Sequence, residues 1–76
     1  MASELVREAS RDGQRLVWLR CYDGPDGVTV VEAQVTPPGA AEAVLRGPYR
    51  FASAAEGFRF VQEAVLALQY LGCAVT

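Results

Sequence analysis

The hydrophobic pattern of the chain is clearest near its C-terminal end, where the segment from Ser53 to Gly72 reads as one amphipathic helix. Ser53 and Glu56 have the spacing of a capping box, in which two side chains satisfy backbone N–H groups of the first turn. Gly72 suits the left-handed conformation that commonly ends a helix, and Cys73 can then fold back against Leu68. Ten residues share one half of the helical wheel and are predicted to face the core: Ala54, Gly57, Phe58, Phe60, Val61, Ala64, Val65, Ala67, Leu68 and Leu71.

Two segments in the first half of the chain have the composition of strands. Residues 15–22 and 28–36 are rich in β-branched and aromatic residues, and the Asp/Gly/Pro connection between them predicts a hairpin. We expect Tyr22 to pair with Val28, and this register places one apolar set on the side that the helix can cover. The facing pairs of that set are Val17 with Ala33, Leu19 with Val31, and Cys21 with Thr29.

A further strand is expected over residues 43–52. Pro38 and Gly39 suit the central positions of a type II turn, so the chain should reverse there and return along the sheet. Gly47 and Pro48 interrupt this strand, and because proline lacks the N–H that a ladder needs, the strand should lie at an edge or carry a bulge. Its inner face is predicted to hold Leu45, Tyr49 and Phe51.

The first dozen residues fit either a strand or a short helix. A short apolar stripe at helical spacing follows Ser3, whereas Asp12 and Gly13 form a type I′ hairpin signal. We favour the strand, although a two-residue turn would place Glu4 and Glu8 on the covered face, which only a frayed edge would tolerate.

The pattern as a whole predicts a single domain over residues 1–76 of the α+β class. Its architecture is an antiparallel β-meander of three to four strands with one long C-terminal helix packed on one face. A helical first segment would instead give the order α-β-β-β-α. A domain of this size buries only roughly 60–65% of the surface of its unfolded chain, so a partner chain would add stability.

Composition narrows the cellular setting. Seven arginines face nine acidic residues, and the net charge of −2 offers no long-range attraction for a phosphate backbone. No apolar run approaches the roughly 18 residues of a membrane span, and the N-terminus lacks the pattern of a secretory signal, so we expect a cytoplasmic protein. The chain has no Lys, Asn or Ile, whose codons are rich in A and T, which indicates a GC-rich, bacterial genome.

The chemistry available to the chain argues against catalysis and against cofactors. Histidine and lysine are both absent, so a serine or cysteine nucleophile would have no conventional base. Cys21 and Cys73, 52 positions apart and without histidine, cannot complete a zinc site, so we predict no metal and two buried or half-buried thiols, with a disulfide left open. The glycines between Gly24 and Gly27 lack the lysine and following helix of a phosphate loop.

Two surfaces could carry a binding function, and the first lies on the helix. Leu66 and Tyr70 fall on its polar side, one turn apart and beside Arg59. Scattered apolar residues are normal on a protein surface, so these two residues need no explanation on that interpretation. The alternative hypothesis is that they form a small interface anchor.

The second surface is the sheet face turned away from the helix. On the expected register six large apolar residues lie there: Leu16, Trp18, Tyr22, Val28, Val30 and Val44. With only one long helix available, this face has no cover within the chain, and an exposed patch of this kind usually marks an interaction site. A homodimer, or another protein partner, is the simplest cover, and the chain is therefore interpreted as a small non-enzymatic interaction module.

A rival binding hypothesis concerns single-stranded nucleic acid. Arg20, Arg46 and Arg50 are expected on the same sheet face, next to Trp18 and Tyr22. Cations interleaved with aromatic side chains on a sheet are typical of modules that stack bases. The acidic net charge argues against this function.

Overall fold

The computed structural model describes residues 4–76, which form a five-stranded antiparallel sheet with one helix laid across it. The elements are β1 (Glu4–Arg11), β2 (Gln14–Asp23), β3 (Thr29–Val35), β4 (Val44–Phe51), α1 (Ala54–Tyr70) and β5 (Ala74–Val75). The strand order is β4-β3-β2-β1-β5. The predicted α+β class, the meander and the C-terminal helix are confirmed. The short strand β5, which follows the helix and pairs with β1, was not predicted.

The N-terminal segment is a strand, as we favoured, and it joins β2 through a two-residue turn. Asp12 and Gly13 have φ angles of 54° and 79°, the positive values that a type I′ turn requires at both central positions. Ser3, after which the alternative helix would begin, lies outside the described residues.

A β-bulge next to this turn reverses which residues of β1 face the helix, compared with the predicted register. Ser10 pairs with Arg15, but Ala9 already pairs with Val17, so Leu16 is an extra residue in β2. The shift by one residue turns Leu5, Arg7 and Ala9 toward the helix. The expectation that Glu4 and Glu8 occupy the covered face is therefore wrong, because the bulge moves both to the open face.

The second hairpin has a register two residues away from the predicted one. Tyr22 pairs with Val30 instead of Val28, because Val28 belongs to the connection. The N–H of Gly24 donates to the carbonyl of Val28 at 2.8 Å, and the N–H of Val28 donates to the carbonyl of Pro25 at 3.3 Å. A shift of two residues keeps every side chain on its predicted face, so the predicted apolar residues still face the helix.

Strand β4 is an edge strand with a bulge, so both predicted consequences of Gly47 and Pro48 are confirmed. Val31 pairs with Tyr49 and Ala33 with Arg46, which leaves Gly47 and Pro48 opposite a single residue of β3. Tyr49 and Phe51 face the helix as predicted. Leu45 does not: beyond the bulge it is Val44 and Arg46 that face the helix, and Leu45 lies on the open face.

Helix α1 begins at the predicted cap. The Oγ atom of Ser53 accepts a hydrogen bond from the N–H of Glu56 at 3.3 Å, and the carboxylate of Glu56 accepts one from the N–H of Ala52 at 3.2 Å. The carboxylate thus reaches one residue further back than in a reciprocal capping box. The first turn of the helix is therefore stabilised by hydrogen bonds among neighbouring residues.

The helix ends in a Schellman motif, as predicted. The N–H of Cys73 donates to the carbonyl of Leu68, and the N–H of Gly72 donates to that of Gln69, both at 3.0 Å. Gly72 has a φ of 92°, a conformation that L side chains rarely adopt. This motif turns the chain back so that β5 can reach β1.

The buried stripe of α1 is narrower than the predicted half-circumference. Six of the ten predicted residues are buried or half-buried: Gly57, Phe60, Val61, Ala64, Val65 and Leu68. Four are exposed: Ala54, Phe58, Ala67 and Leu71. A single sheet contacts only one side of a helix, so residues at the margins of the apolar face stay in solvent.

The centre of the core lies where α1 crosses β2 and β3. The buried cluster consists of Leu19, Cys21, Val31, Ala33 and Val61. A Cβ atom at Gly57 would lie 2.6 Å from Cγ2 of the buried residue Thr29, and 3.4 Å from Sγ of Cys21. Glycine at this position therefore allows the helix backbone to approach the sheet.

We predict that Gly57→Ala destabilises the fold despite the better helix propensity of alanine. Overpacking against a buried strand typically costs about 1–3 kcal/mol, and the gain in propensity is about 0.5–1 kcal/mol. Urea unfolding followed by circular dichroism measures the difference. The penalty should be smaller in a Thr29→Ser background, which lacks the opposing methyl group. A Gly57→Ala protein as stable as the parent would contradict the close approach.

Candidate interaction surfaces

The open face of the sheet carries a network of charged and polar contacts. The guanidinium of Arg20 donates to the carboxylate of Glu4, and its Cζ atom lies 4.3 Å from the centroid of the Tyr22 ring. The hydroxyl of Tyr22 donates to the carboxylate of Glu32 on β3. This network ties β1, β2 and β3 together on the side away from the helix.

The apolar candidates on this face are largely covered by the chain itself. Val30 is only 5% exposed, and Trp18 and Tyr22 are half-buried. The connection between β2 and β3 closes over Val30, since a Cβ atom at Gly24 would lie 2.7 Å from its Cγ2. The predicted six-residue apolar patch is therefore not an exposed surface, and Val44, one of its members, lies on the helix side.

The three arginines proposed for nucleic-acid contact are not brought together. Arg20 is held by Glu4 and Tyr22, as described above. Arg50 lies on the open face opposite Val30, whereas Arg46 lies on the helix side opposite Ala33. Within residues 4–76 neither Arg46 nor Arg50 has an ion-pair partner.

The pKa values of two groups in the open-face network are raised by their surroundings. The hydrogen bond to the Glu32 carboxylate, followed by burial, raises the pKa of the Tyr22 phenol. The hydrogen bond to Glu4 raises the pKa of the Arg20 guanidinium. Both effects favour the protonated form, which is the form that donates in each contact.

The two cysteines are unpaired thiols, with Cys21 buried and Cys73 half-buried, as predicted. Burial raises the pKa of the Cys21 thiol, and the charge of Asp23 acts in the same direction. A protonated thiol in the core is a poor nucleophile. Among residues 4–76 there is no group of three or more Cys, Asp or Glu side chains that could hold a metal ion.

The outer surface of α1 shows the exposure expected from the sequence. Leu66 and Tyr70 are 60% and 90% exposed. Arg59 lies on the same side, where its Nε atom is 3.8 Å from Oε1 of Glu63. We call Arg59, Glu63, Leu66 and Tyr70 the outer stripe of α1. Its apolar half continues into Leu71, which is 62% exposed.

An open apolar cavity of about 490 Å³ lies between α1 and strand β1. Its floor and walls are apolar side chains from both elements, namely Leu5, Phe58, Val61 and Val65. Glu4, Arg7 and Gln62 complete the lining. We call this cavity the β1–α1 groove. Sequence reasoning missed it because the groove exists only if Phe58 stands at the margin of the core and Leu5 faces the helix.

The opposite flank of the helix is closed by aromatic packing. The ring of Phe60 lies 5.4 Å from that of Tyr49 and 5.3 Å from that of Phe51, measured between centroids. These distances are typical of favourable aromatic pairs, and they fix α1 against β4. Around Phe60 the two flanks of α1 thus differ: aromatic rings pack on the β4 side, whereas the β1 side has the open groove.

No protein-family model, curated protein or solved structure matches this chain. In the described part of the chain, no helix has the length and apolar character needed to cross a membrane. Inference about function therefore rests on the surfaces described above.

We predict that Glu32→Gln lowers the pKa of Tyr22, because the amide can accept the phenol hydrogen bond but removes the negative charge. The raised pKa implies that this contact stabilises the fold below the ordinary pKa of tyrosine, and that the stabilisation is lost as the pH rises through the folded-state value. Ultraviolet titration of the phenolate in a Tyr49→Phe, Tyr70→Phe background isolates Tyr22. Glu8→Gln is the matched control, and an equal change in both variants would contradict the assigned contact.

Proposed function

We propose that this protein is a small non-enzymatic interaction module that forms a homodimer through the outer stripe of α1. The observation that supports this proposal is that large apolar side chains are exposed in a domain with few buried ones. Seven apolar residues of the described chain are buried, whereas eight large apolar side chains are exposed, among them Leu66, Tyr70 and Leu71. A domain of this size has a thin margin of stability, and a second chain adds buried apolar area.

The helix surface is a better candidate than the open sheet face. On the sheet, Val30 is buried and Tyr22 is held by Arg20 and Glu32, so neither is free to act as an anchor. On the helix, Leu66 and Tyr70 are adjacent at i and i+4, and both are largely exposed. An aromatic residue and an arginine at the ends of such a stripe match the composition of interface anchors.

The spacing of the outer stripe suits a two-fold axis. Arg59 and Tyr70 lie at equal distances on either side of the stripe's midpoint, so antiparallel pairing of two helices places Arg59 of one copy near Tyr70 of the other. A guanidinium over a phenol ring is an attractive cation–π contact. The same pairing sets Leu66 of each copy opposite Glu63 of the other, one on either side of the axis, and Glu63 stays next to the guanidinium of Arg59.

A reduced, cytoplasmic setting belongs to the same proposal. The two thiols are unpaired and one of them is buried, which suits a compartment where disulfides rarely persist. The arrangement of Arg20, Arg46 and Arg50 on different faces favours a protein partner over single-stranded nucleic acid.

We predict that the parent protein shows a concentration-dependent monomer–dimer equilibrium at high micromolar concentration. Replacing both anchors, Leu66→Gln with Tyr70→Gln, should weaken the dimer at least about tenfold. Both sites are exposed and glutamine is a good helix former, so the fold should persist. Sedimentation velocity measures the association, and circular dichroism checks the fold.

The matched control is Val44→Gln with Leu45→Gln, which replaces two exposed apolar residues of β4 by the same polar residue. This variant should dimerise like the parent. A parent protein that remains monomeric throughout would overturn self-association. Dissociation by the β4 variant alone would overturn the helix surface as its location.

A further inference from the structure

The outer edge of β1 is paired along only part of its length. The N–H of Glu8 donates to the carbonyl of Thr76 at 3.1 Å, and the N–H of Thr76 donates to the carbonyl of Glu8 at 2.9 Å. Together with the pairing of β5, these bonds cover the edge from Glu8 to Ser10. Within residues 4–76, no strand lies along this side of the segment from Glu4 to Arg7.

The backbone of Val6 points toward this open edge. Backbone groups alternate in direction along an antiparallel strand, and since those of Glu8 point to β5, those of Val6 point the same way. The carbonyl of Val6 accepts an exposed hydrogen bond from Nη1 of Arg7 at 3.3 Å. A flexible side chain thus occupies the position where the N–H of an added strand would donate.

The β1–α1 groove lies alongside this same open segment. Leu5 and Arg7 face the helix because they pair with Cys21 and Leu19, and both line the groove. Phe58, which is 40% exposed, stands across from them on α1. A strand added at the edge would therefore direct every second side chain into an apolar cavity.

The charges at the groove specify one further property of its occupant. The carboxylate of Glu4 lies on the open face of the sheet, where Arg20 binds it, so it is not a partner for Arg7. Arg7 donates a hydrogen bond to the carbonyl of Val6, and it has no carboxylate partner among the described residues. An acidic side chain opposite Arg7 would complete the electrostatics of the site.

We propose that the β1–α1 groove binds an extended peptide segment of another protein, which adds as a strand to the open edge between Glu4 and Arg7. One apolar side chain of the segment enters the cavity beside Leu5 and Phe58. An acidic side chain two positions away reaches Arg7. Main-chain hydrogen bonds supply affinity in this mode of recognition, and the alternate side chains supply specificity.

A second copy of this chain is a poorer occupant of the groove than a short foreign segment. Two-fold pairing of β1 with itself would bring β1 of each copy onto the line of the other copy's β5, which already covers Glu8 to Ser10. About three residues of each edge would then remain to pair. Such pairing would set Leu5 opposite either Arg7 or a second Leu5, and in neither register does a described acidic residue lie opposite Arg7.

The probe is a capped hexapeptide with valine, glutamate and valine at alternate positions and threonine between them. Valine flanks the acid on both sides, so either strand direction presents an apolar residue two positions from it. Two matched peptides carry lysine or threonine in place of glutamate. Titration into labelled full-length protein, followed by two-dimensional nuclear magnetic resonance, detects even millimolar affinity and reports which backbone amides shift.

The glutamate peptide should bind best and should shift the amides of β1 and of the groove wall. Val6→Pro should weaken it about tenfold, because it removes an outward N–H and leaves the β1–β2 ladder intact. Arg7→Glu, an exposed charge reversal that does not threaten folding, should reverse the preference from the glutamate to the lysine peptide. The variant carrying Leu66→Gln and Tyr70→Gln should bind like the parent, which separates this site from self-association.

Three outcomes would overturn the proposal. The first is the absence of binding by all three peptides at millimolar concentration. The second is equal affinity of the three peptides for the parent and for Arg7→Glu. The third is a shift pattern centred on the outer stripe of α1 or on β4, away from Val6 and Phe58. Failure of dimerisation in the parent protein would leave these results unaffected.

Discussion

The rest of the structure depends on the close approach of α1 to the sheet at Gly57. A side chain at this position would meet Thr29 at a distance that real Cβ atoms do not adopt, so glycine lets the helix backbone come down onto β2 and β3. A helix held this closely buries only a narrow stripe, with Val61 at its centre. The margins of its apolar face are then left outside the core. Phe58 becomes the wall of a groove, and Leu66 and Tyr70 stay in solvent.

Two bulges decide which side chains face the helix. The extra residue Leu16 in β2 turns Glu4 to the open face, where Arg20 binds it. The one extra residue in β4, where Gly47 and Pro48 lie opposite a single residue of β3, turns Leu45 outward and Arg46 inward. Each bulge shifts the register by one, which exchanges the two faces of everything beyond it. The charged network of the open face is thus a consequence of irregularities in the strands.

Features that depend on neighbouring residues could be predicted from the sequence, whereas features that depend on distant ones could not. Both ends of α1 and the turn at Asp12 and Gly13 follow from local chemistry and were confirmed. The predicted register of the second hairpin was wrong because Val28 hydrogen-bonds within the connection instead of pairing with Tyr22. The exposure of Leu66 and Tyr70 followed from helical spacing alone.

The candidate sites show the same division. Val30 was predicted to be an exposed anchor, but a loop from elsewhere in the hairpin covers it. The β1–α1 groove joins residues more than fifty positions apart, and it requires a bulge that no local pattern announces. The sequence does not show that Arg7 lacks a carboxylate partner, because this depends on the pairing of Glu4 with Arg20 in the folded chain. Sequence reasoning therefore found the helix surface and missed the groove.

The two edges of the sheet are protected unequally, and this difference supports an interaction role. Natural proteins guard edge strands with proline, bulges and charged side chains, since an open edge is a template for another chain. Strand β4 has all three devices, in Pro48, its bulge, and the pair Arg46 and Arg50. Strand β1 is covered over three of its eight residues, Glu8 to Ser10, and one arginine side chain lies over the carbonyl of Val6. The weaker protection coincides with the open flank of the helix. At this edge only the displaceable side chain of Arg7 covers the Val6 carbonyl, and an apolar groove lies beside it. Both features favour the addition of a strand.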